Sequence, residues 1–153
     1  MSGLEDLYRE IILDHYRSPR NRGELAAPPA IESRGHTPLC GDEITLDLLV
    51  EGEGDDAVVT DVKIGGQGCS ISQSSASMMT QAVIGTSVGE ARALIRRFRS
   101  MMGIEGVESQ PGDDDIDLGD LEALQGVVKF PVRIKCAVLS WNTLADALDR
   151  ATA

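Results

Sequence analysis

Aromatic residues are scarce: the chain has one Trp, two Tyr and two Phe among 153 residues. Any core must therefore be built mostly from Leu, Ile, Val, Met and Ala. Basic residues are also short, with 14 Lys and Arg against 25 Asp and Glu, a net charge of −11. This balance argues against nucleic acid as a main partner, because phosphate contacts need clustered Lys and Arg. It suits a chain kept in solution by its charge, or one that docks on a basic patch of a partner. No apolar run approaches the length of a membrane span. Met1-Ser2-Gly3-Leu4-Glu5-Asp6 lacks a basic stretch followed by an apolar one, so no secretory signal and a cytoplasmic location are expected. Cysteine is limited to three widely spaced residues with no C-x-x-C pair. That excludes a disulfide framework, a zinc ribbon and a thioredoxin-like site. No phosphate loop and no Ser-His-Asp arrangement stand out.

The length fits a single domain, residues 1–153, with a real core. Leu4, Leu7, Tyr8, Ile11, Ile12 and His15 recur at helical spacing, predicting a first helix from Leu4 to about Tyr16. Ser18-Pro19-Arg20-Asn21-Arg22-Gly23 ends it. Ile44, Leu46, Leu48 and Val50 alternate with more polar neighbours, and Val58, Val59, Val62 and Ile64 follow a polar, glycine-containing turn. Two such runs predict an antiparallel hairpin. A short strand over about 32–39 is expected before it. Cys69 to Ile84 reads as a helix with a stripe of Ile71, Ser75, Met78, Met79, Ala82 and Val83. Ser87 and Glu90 form a capping-box pattern ahead of a helix over 91–102, with Met101 among its inward residues. Gly103 to Asp120 is expected as a loop with Asp113-Asp114-Asp115 solvated. A short helix over about 121–126 follows. Pro131 suits the first turn of a last helix ending near Arg150, with Ile134, Val138, Trp141, Leu144, Ala145 and Leu148 inward and Cys136 off that face.

The cysteines carry the chemical interest. Cys40 and Asp42 flank Gly41. In an extended segment, residues two apart project to one side, so a thiolate and a carboxylate can converge there. Both are acceptable zinc donors. Cys69 follows Gly66-Gln67-Gly68 at a strand-to-helix junction, where the unpaired N–H groups of a helix start favour a thiolate. Cys136 has Arg133 and Lys135 nearby, cations that would stabilise a thiolate or attract a charged partner. Cys40, Asp42, Cys69 and Cys136 are therefore the candidate metal ligands. His15 is expected as a hydrogen-bonded helix residue, and His36 as a lesser candidate beside the metal.

The set Asp14-His15-Tyr16-Arg17-Ser18-Pro19-Arg20-Asn21, Cys40-Gly41-Asp42, Gly66-Gln67-Gly68-Cys69-Ser70-Ile71-Ser72 and Lys135-Cys136 resembles the IscU/NifU-N/SufU family of iron–sulfur assembly proteins. The resemblance spans nearly the whole chain. It implies an α+β fold: an antiparallel three-stranded sheet with helices packed on one face and the cysteines at one end. Scaffold-type members carry a histidine immediately before the last cysteine, where this chain has Lys135. With the long stretch from Arg96 to Gly126, that departure makes the chain resemble the SufU branch of zinc-dependent sulfurtransferases. Membership would imply Zn²⁺ on Cys40, Asp42, Cys69 and Cys136. It would also imply that Cys40, once released from the metal, accepts sulfur from the persulfide of a SufS-type cysteine desulfurase and passes it to a downstream iron–sulfur scaffold. The alternative implied by the wider family is a scaffold on which a [2Fe–2S] cluster is assembled.

Overall fold

A computed structural model describes residues 3–38, 41–104, 106–108 and 110–152. The elements are α1 (Gly3–Arg17), β1 (Ile31–Thr37), β2 (Asp42–Glu51), β3 (Val58–Gln67), α2 (Ser70–Val83), α3 (Val88–Met101) and α4 (Pro131–Ala151), with an irregular 3₁₀ stretch over Gly119–Lys129. The three strands form an antiparallel sheet in the order β1-β2-β3, and the fold is α+β as expected. α4 lies across β1 and β2, with α2 beside it against β3.

The hairpin forms where the alternation predicted it. Ile44, Leu46 and Leu48 of β2 are buried and meet Val59, Val62 and Ile64 of β3. The register shifts between Leu49 and Val50, leaving Thr60 as the extra residue of β3. The bulge switches the alternation, so Val59 and Val62 both face the core. The Thr60 hydroxyl donates to the Leu49 carbonyl at 3.0 Å.

α2 departs from the single-stripe expectation. Ser72, Ser74, Ser75, Ala76, Ser77, Met78, Met79, Thr80 and Val83 are all buried. The helix is central, with α1 on one side, α4 on another and β3 and α3 on the rest. Small side chains permit that crowding, and each buried hydroxyl must find a partner. Ser75 Oγ donates to the Ala137 carbonyl of α4 at 2.6 Å and accepts from Trp141 Nε1 at 3.1 Å. Trp141 in turn stacks on Phe98 of α3, centroids 4.5 Å apart at 14°. Trp141→Ala should therefore cost about 3–5 kcal/mol, by emptying a large core volume. A thermal melt checks this; a shift of only a degree or two would contradict the packing role.

The same crowding corrects the reading of α4. Cys136 was expected off the core face, yet it is 0% exposed. α4 is covered by the sheet on one side and by α2 on another, so its buried arc is wider than one stripe. At the end of α3, Met101 packs against the core partly buried, and Met102, the residue after the helix, is fully buried. The Ser87–Glu90 capping box is present. Leu7 of α1, expected inward, is exposed. Asp113 is not solvated: it is buried, and both its oxygens accept from Arg96, at 2.9 and 3.1 Å.

The segment after α1 straps that helix to α2. His15 is buried and its Nδ1 shares a 2.8 Å hydrogen bond with Ser77 Oγ, which also accepts from the Arg20 N–H at 2.9 Å. Asn21 Nδ2 donates to Thr80 Oγ1 at 3.0 Å, and Arg22 Nη2 donates to the Gly66 carbonyl at 2.6 Å. Burial first, and the Arg20 charge second, hold the His15 pKa below its ordinary 6.5. Between 6.5 and that lower value the unfolded chain takes up a proton that the native chain does not, so stability falls as pH falls through this window. His15→Gln should lower stability at neutral pH yet flatten this acid decline. Denaturation midpoints measured across pH for both proteins check it, and parallel curves would refute it.

Candidate metal centre

The site is assembled by strand register. Thr37 pairs with Asp42, so residues 38–41 connect β1 to β2. Glu43 pairs with Gln67, so Asp42 falls level with the chain just beyond β3, where Gly68 leads into Cys69. Gly41 adopts a positive φ of 69° and its N–H donates to the Thr37 carbonyl at 2.9 Å. Gly41 thus sits in a turn that leads into β2. Cys40 lies outside the described residues.

Asp42 Oδ1 accepts from the Cys69 N–H at 2.9 Å, at the N-cap of α2. Gly68 makes that approach possible: a Cβ there would stand 2.6 Å from Asp42 Oδ1 and 2.4 Å from Ser72 Oγ. Gly66 is required for a different reason. Its φ is 104°, and a Cβ would meet the Glu43 carbonyl oxygen of β2 at 2.2 Å. Both glycines thus keep the end of β3 close against the start of β2.

Cys136 reaches the same place from α4. Among the described residues, a carboxylate oxygen of Asp42 and the sulfurs of Cys69 and Cys136 lie within 4.8 Å of one another. Cys136 is the sixth residue of α4, too far along to benefit much from the helix terminus, whose field fades within one turn. Its cation is Arg133, one turn earlier on the same face. The Arg133 guanidinium is held above its ordinary pKa, first by charge attraction to Cys69 and then by a hydrogen bond to Cys136. Lys135 and His36 are not part of the cluster; both line a neighbouring groove. His15 is far from it in α1, bonded to Ser77 as expected.

The donors fit a metal. Asp42 is 1% exposed, and a buried carboxylate is costly without compensation. Its Oδ1 has the Cys69 N–H, but its Oδ2 meets only the Cys69 sulfur at 3.8 Å among the described residues. Two thiols and a carboxylate form a borderline-soft donor set suited to zinc, and a tetrahedral site would need ligand atoms roughly 3.5–4 Å apart. What the sequence did not reveal is the support behind the ligands. Ser75 ties α2 to α4, and Gly68 admits Asp42. Neither has a local pattern that distinguishes it from an ordinary helix serine or loop glycine.

Residues 7–137 match the family model of the NifU-like N terminal domain. The chain belongs to this NifU-like N-terminal domain family. Among its relatives, the chain is 47% identical over 149 residues to the zinc-dependent sulfurtransferase SufU of Bacillus subtilis, covering 97% of this chain and 94% of that one. It is 40% identical over 150 residues to the iron–sulfur cluster assembly scaffold protein IscU of Streptococcus pyogenes, covering 98% and 87%. The crystal structure of FiSufU from Fervidobacterium islandicum AW-1 superposes with a TM-score of 0.75 at 33% identity, covering 95% of this chain and 99% of that one. The match to the NifU-like N-terminal domain ends one residue past Cys136, so it takes in all three cysteines. Beyond it lies the remainder of α4, which supplies Trp141.

Proposed function

We propose that this chain is a zinc-dependent sulfurtransferase that takes persulfide sulfur from a cysteine desulfurase and supplies it to iron–sulfur cluster assembly. The observation that carries the reading is the convergence of buried Asp42 and Cys136 with half-buried Cys69 in a chain 47% identical to a protein of that name. Cys40, Asp42, Cys69 and Cys136 would hold the zinc, with residues 1–153 acting as one cytoplasmic domain. Bound zinc keeps thiols deprotonated at neutral pH.

The protein's own groups then divide the work. Cys136 is fully buried, so its sulfur is closed to a bulky donor. Cys40, on the connection between β1 and β2, is the proposed acceptor. Its thiolate attacks the terminal sulfur of the donor persulfide; the donor S–S bond breaks as the new S–S bond forms, and the donor cysteine leaves as thiolate. The proton of the terminal sulfur travels with it, and no external oxidant or reductant is consumed. Arg133 places a cation beside the sulfurs, where it would stabilise the negative charge of the attacking and departing thiolates. Mixing the protein with a SufS-type desulfurase and cysteine should accelerate sulfur turnover and leave the added sulfur on Cys40, read by mass spectrometry of tryptic peptides. No acceleration would overturn the reading.

The scaffold reading keeps one specific support, the 40% identity to a relative named as a scaffold. Lys135 stands against it, in the position of the scaffold-type histidine. Anaerobic reconstitution separates the two: a stable, transferable [2Fe–2S] cluster formed without displacing zinc would favour the scaffold.

A further inference from the structure

A groove of about 350 Å³ opens between the end of β1 and the first turns of α4. Val132, Lys135, Val138 and Leu139 line it from α4, and Thr37 and Pro38 from β1 and the turn after it. Residues 132, 135 and 139 follow helical spacing along one stripe of α4, while Arg133 and Cys136 sit on the adjoining stripe that serves the metal centre. Anything seated in this groove therefore lies along the stripe of α4 that adjoins the one carrying Cys136.

Three observations give the groove a partner. First, Val132 is 60% exposed and Phe130, just before the helix, is 62% exposed. Large apolar side chains left in solvent at the rim of a reactive site mark a protein-binding surface. Second, residues 123–145 contain no Asp or Glu, although the chain has 25 of them, while Lys129, Arg133 and Lys135 fall in this span. An apolar, cationic island in a chain of net charge −11 complements an apolar surface carrying carboxylates. Third, Thr37 is only 8% exposed, and its buried hydroxyl has no hydrogen-bond partner among the described residues. A polar group left in that state is a cost that a bound partner can relieve.

We infer that this groove is the docking slot for the sulfur-donating protein, taking an apolar side chain of that partner between Val132, Val138 and Leu139 while Lys135 pairs with a partner carboxylate. The inference rests on the sulfurtransferase reading above. It assigns to groove residues, none of them a proposed metal ligand, the task of holding the donor while sulfur passes.

The test is desulfurase turnover measured against concentration of the full-length, metal-loaded protein. Val132→Glu and Lys135→Glu should each raise the half-saturating concentration about tenfold with the maximal rate little changed, and Lys135→Arg should stay near wild type. Metal content, and sulfur uptake from glutathione persulfide, should match the wild type in every variant. Unchanged half-saturation in both Glu variants overturns the docking slot while leaving the sulfurtransferase reading intact. A rise accompanied by loss of metal or of uptake from the small persulfide also overturns it, since the damage would then lie in the metal centre. If the wild type takes no sulfur from the desulfurase, both the reading and the slot fall.

Discussion

A Cys40→Ala variant is expected to reduce stimulation of the desulfurase to background, a loss on the order of a hundredfold or more, since alanine offers no nucleophile. The fold should survive. In the sequence, position 40 falls between β1 and β2, and the core that joins the sheet to the helices is supplied by residues such as Leu46, Val62, Phe98 and Trp141. Asp42, Cys69 and Cys136 would remain grouped, so some metal should still bind, more weakly than before. Unaltered circular dichroism together with lost stimulation is the expected pair of results. Retained stimulation would sink the acceptor role and shift attention to Cys69, the half-buried sulfur at the N-cap of α2.

Asp42→Ala should act on the metal rather than on the nucleophile. It removes an oxygen donor from the cluster and also the acceptor of the Cys69 N–H. An outer partner of a metal ligand is worth 10–100-fold in affinity, so loss of a ligand that also orients its neighbour should weaken zinc by about a hundredfold or more. The stranded amide adds roughly 1–3 kcal/mol of destabilisation if water cannot reach it. Asp42→Asn is the discriminating companion. It keeps an oxygen for the Cys69 N–H but offers the metal a neutral, weaker donor, so it should preserve stability while still losing zinc. Zinc measured by elemental analysis after purification without added metal, beside a melt of each protein, reads both effects. Near-stoichiometric zinc in Asp42→Ala would remove Asp42 from the ligand set.

The elements were legible where local chemistry decides them. Alternation gave the β2–β3 hairpin, the Ser87–Glu90 pattern gave the start of α3, and Pro131 gave the start of α4. Errors arose where tertiary packing overrode a one-face rule. Cys136 and much of α2 are buried because several neighbours close around those helices, and no periodicity within a single helix encodes how many neighbours it will have. Asp113 was misjudged because its partner, Arg96, lies on a different element. Three of the four proposed ligands converge: the register of β2 against β3 sets Asp42 beside Cys69, and the packing of α4 brings Cys136 to them. A one-residue slip in that register would turn Asp42 to the other side of the sheet.

The hydroxyls of α2 carry one more consequence. Ser74 is satisfied within its own turn by the Ile71 carbonyl, at 3.2 Å. Ser75 bonds α4, Ser77 bonds His15 and the Arg20 amide, and Thr80 accepts from Asn21. Those three read like an address label, each naming the neighbour that belongs on its side. An all-alanine version of the helix would still be packed, but α1 and α4 could rotate or slide against it with little polar penalty. Because Cys69 rides on α2 and Cys136 on α4, such slippage would be felt as a loss of fixed spacing between two sulfurs. The serines spend interior volume on orientation, and the metal centre is where that orientation is read out.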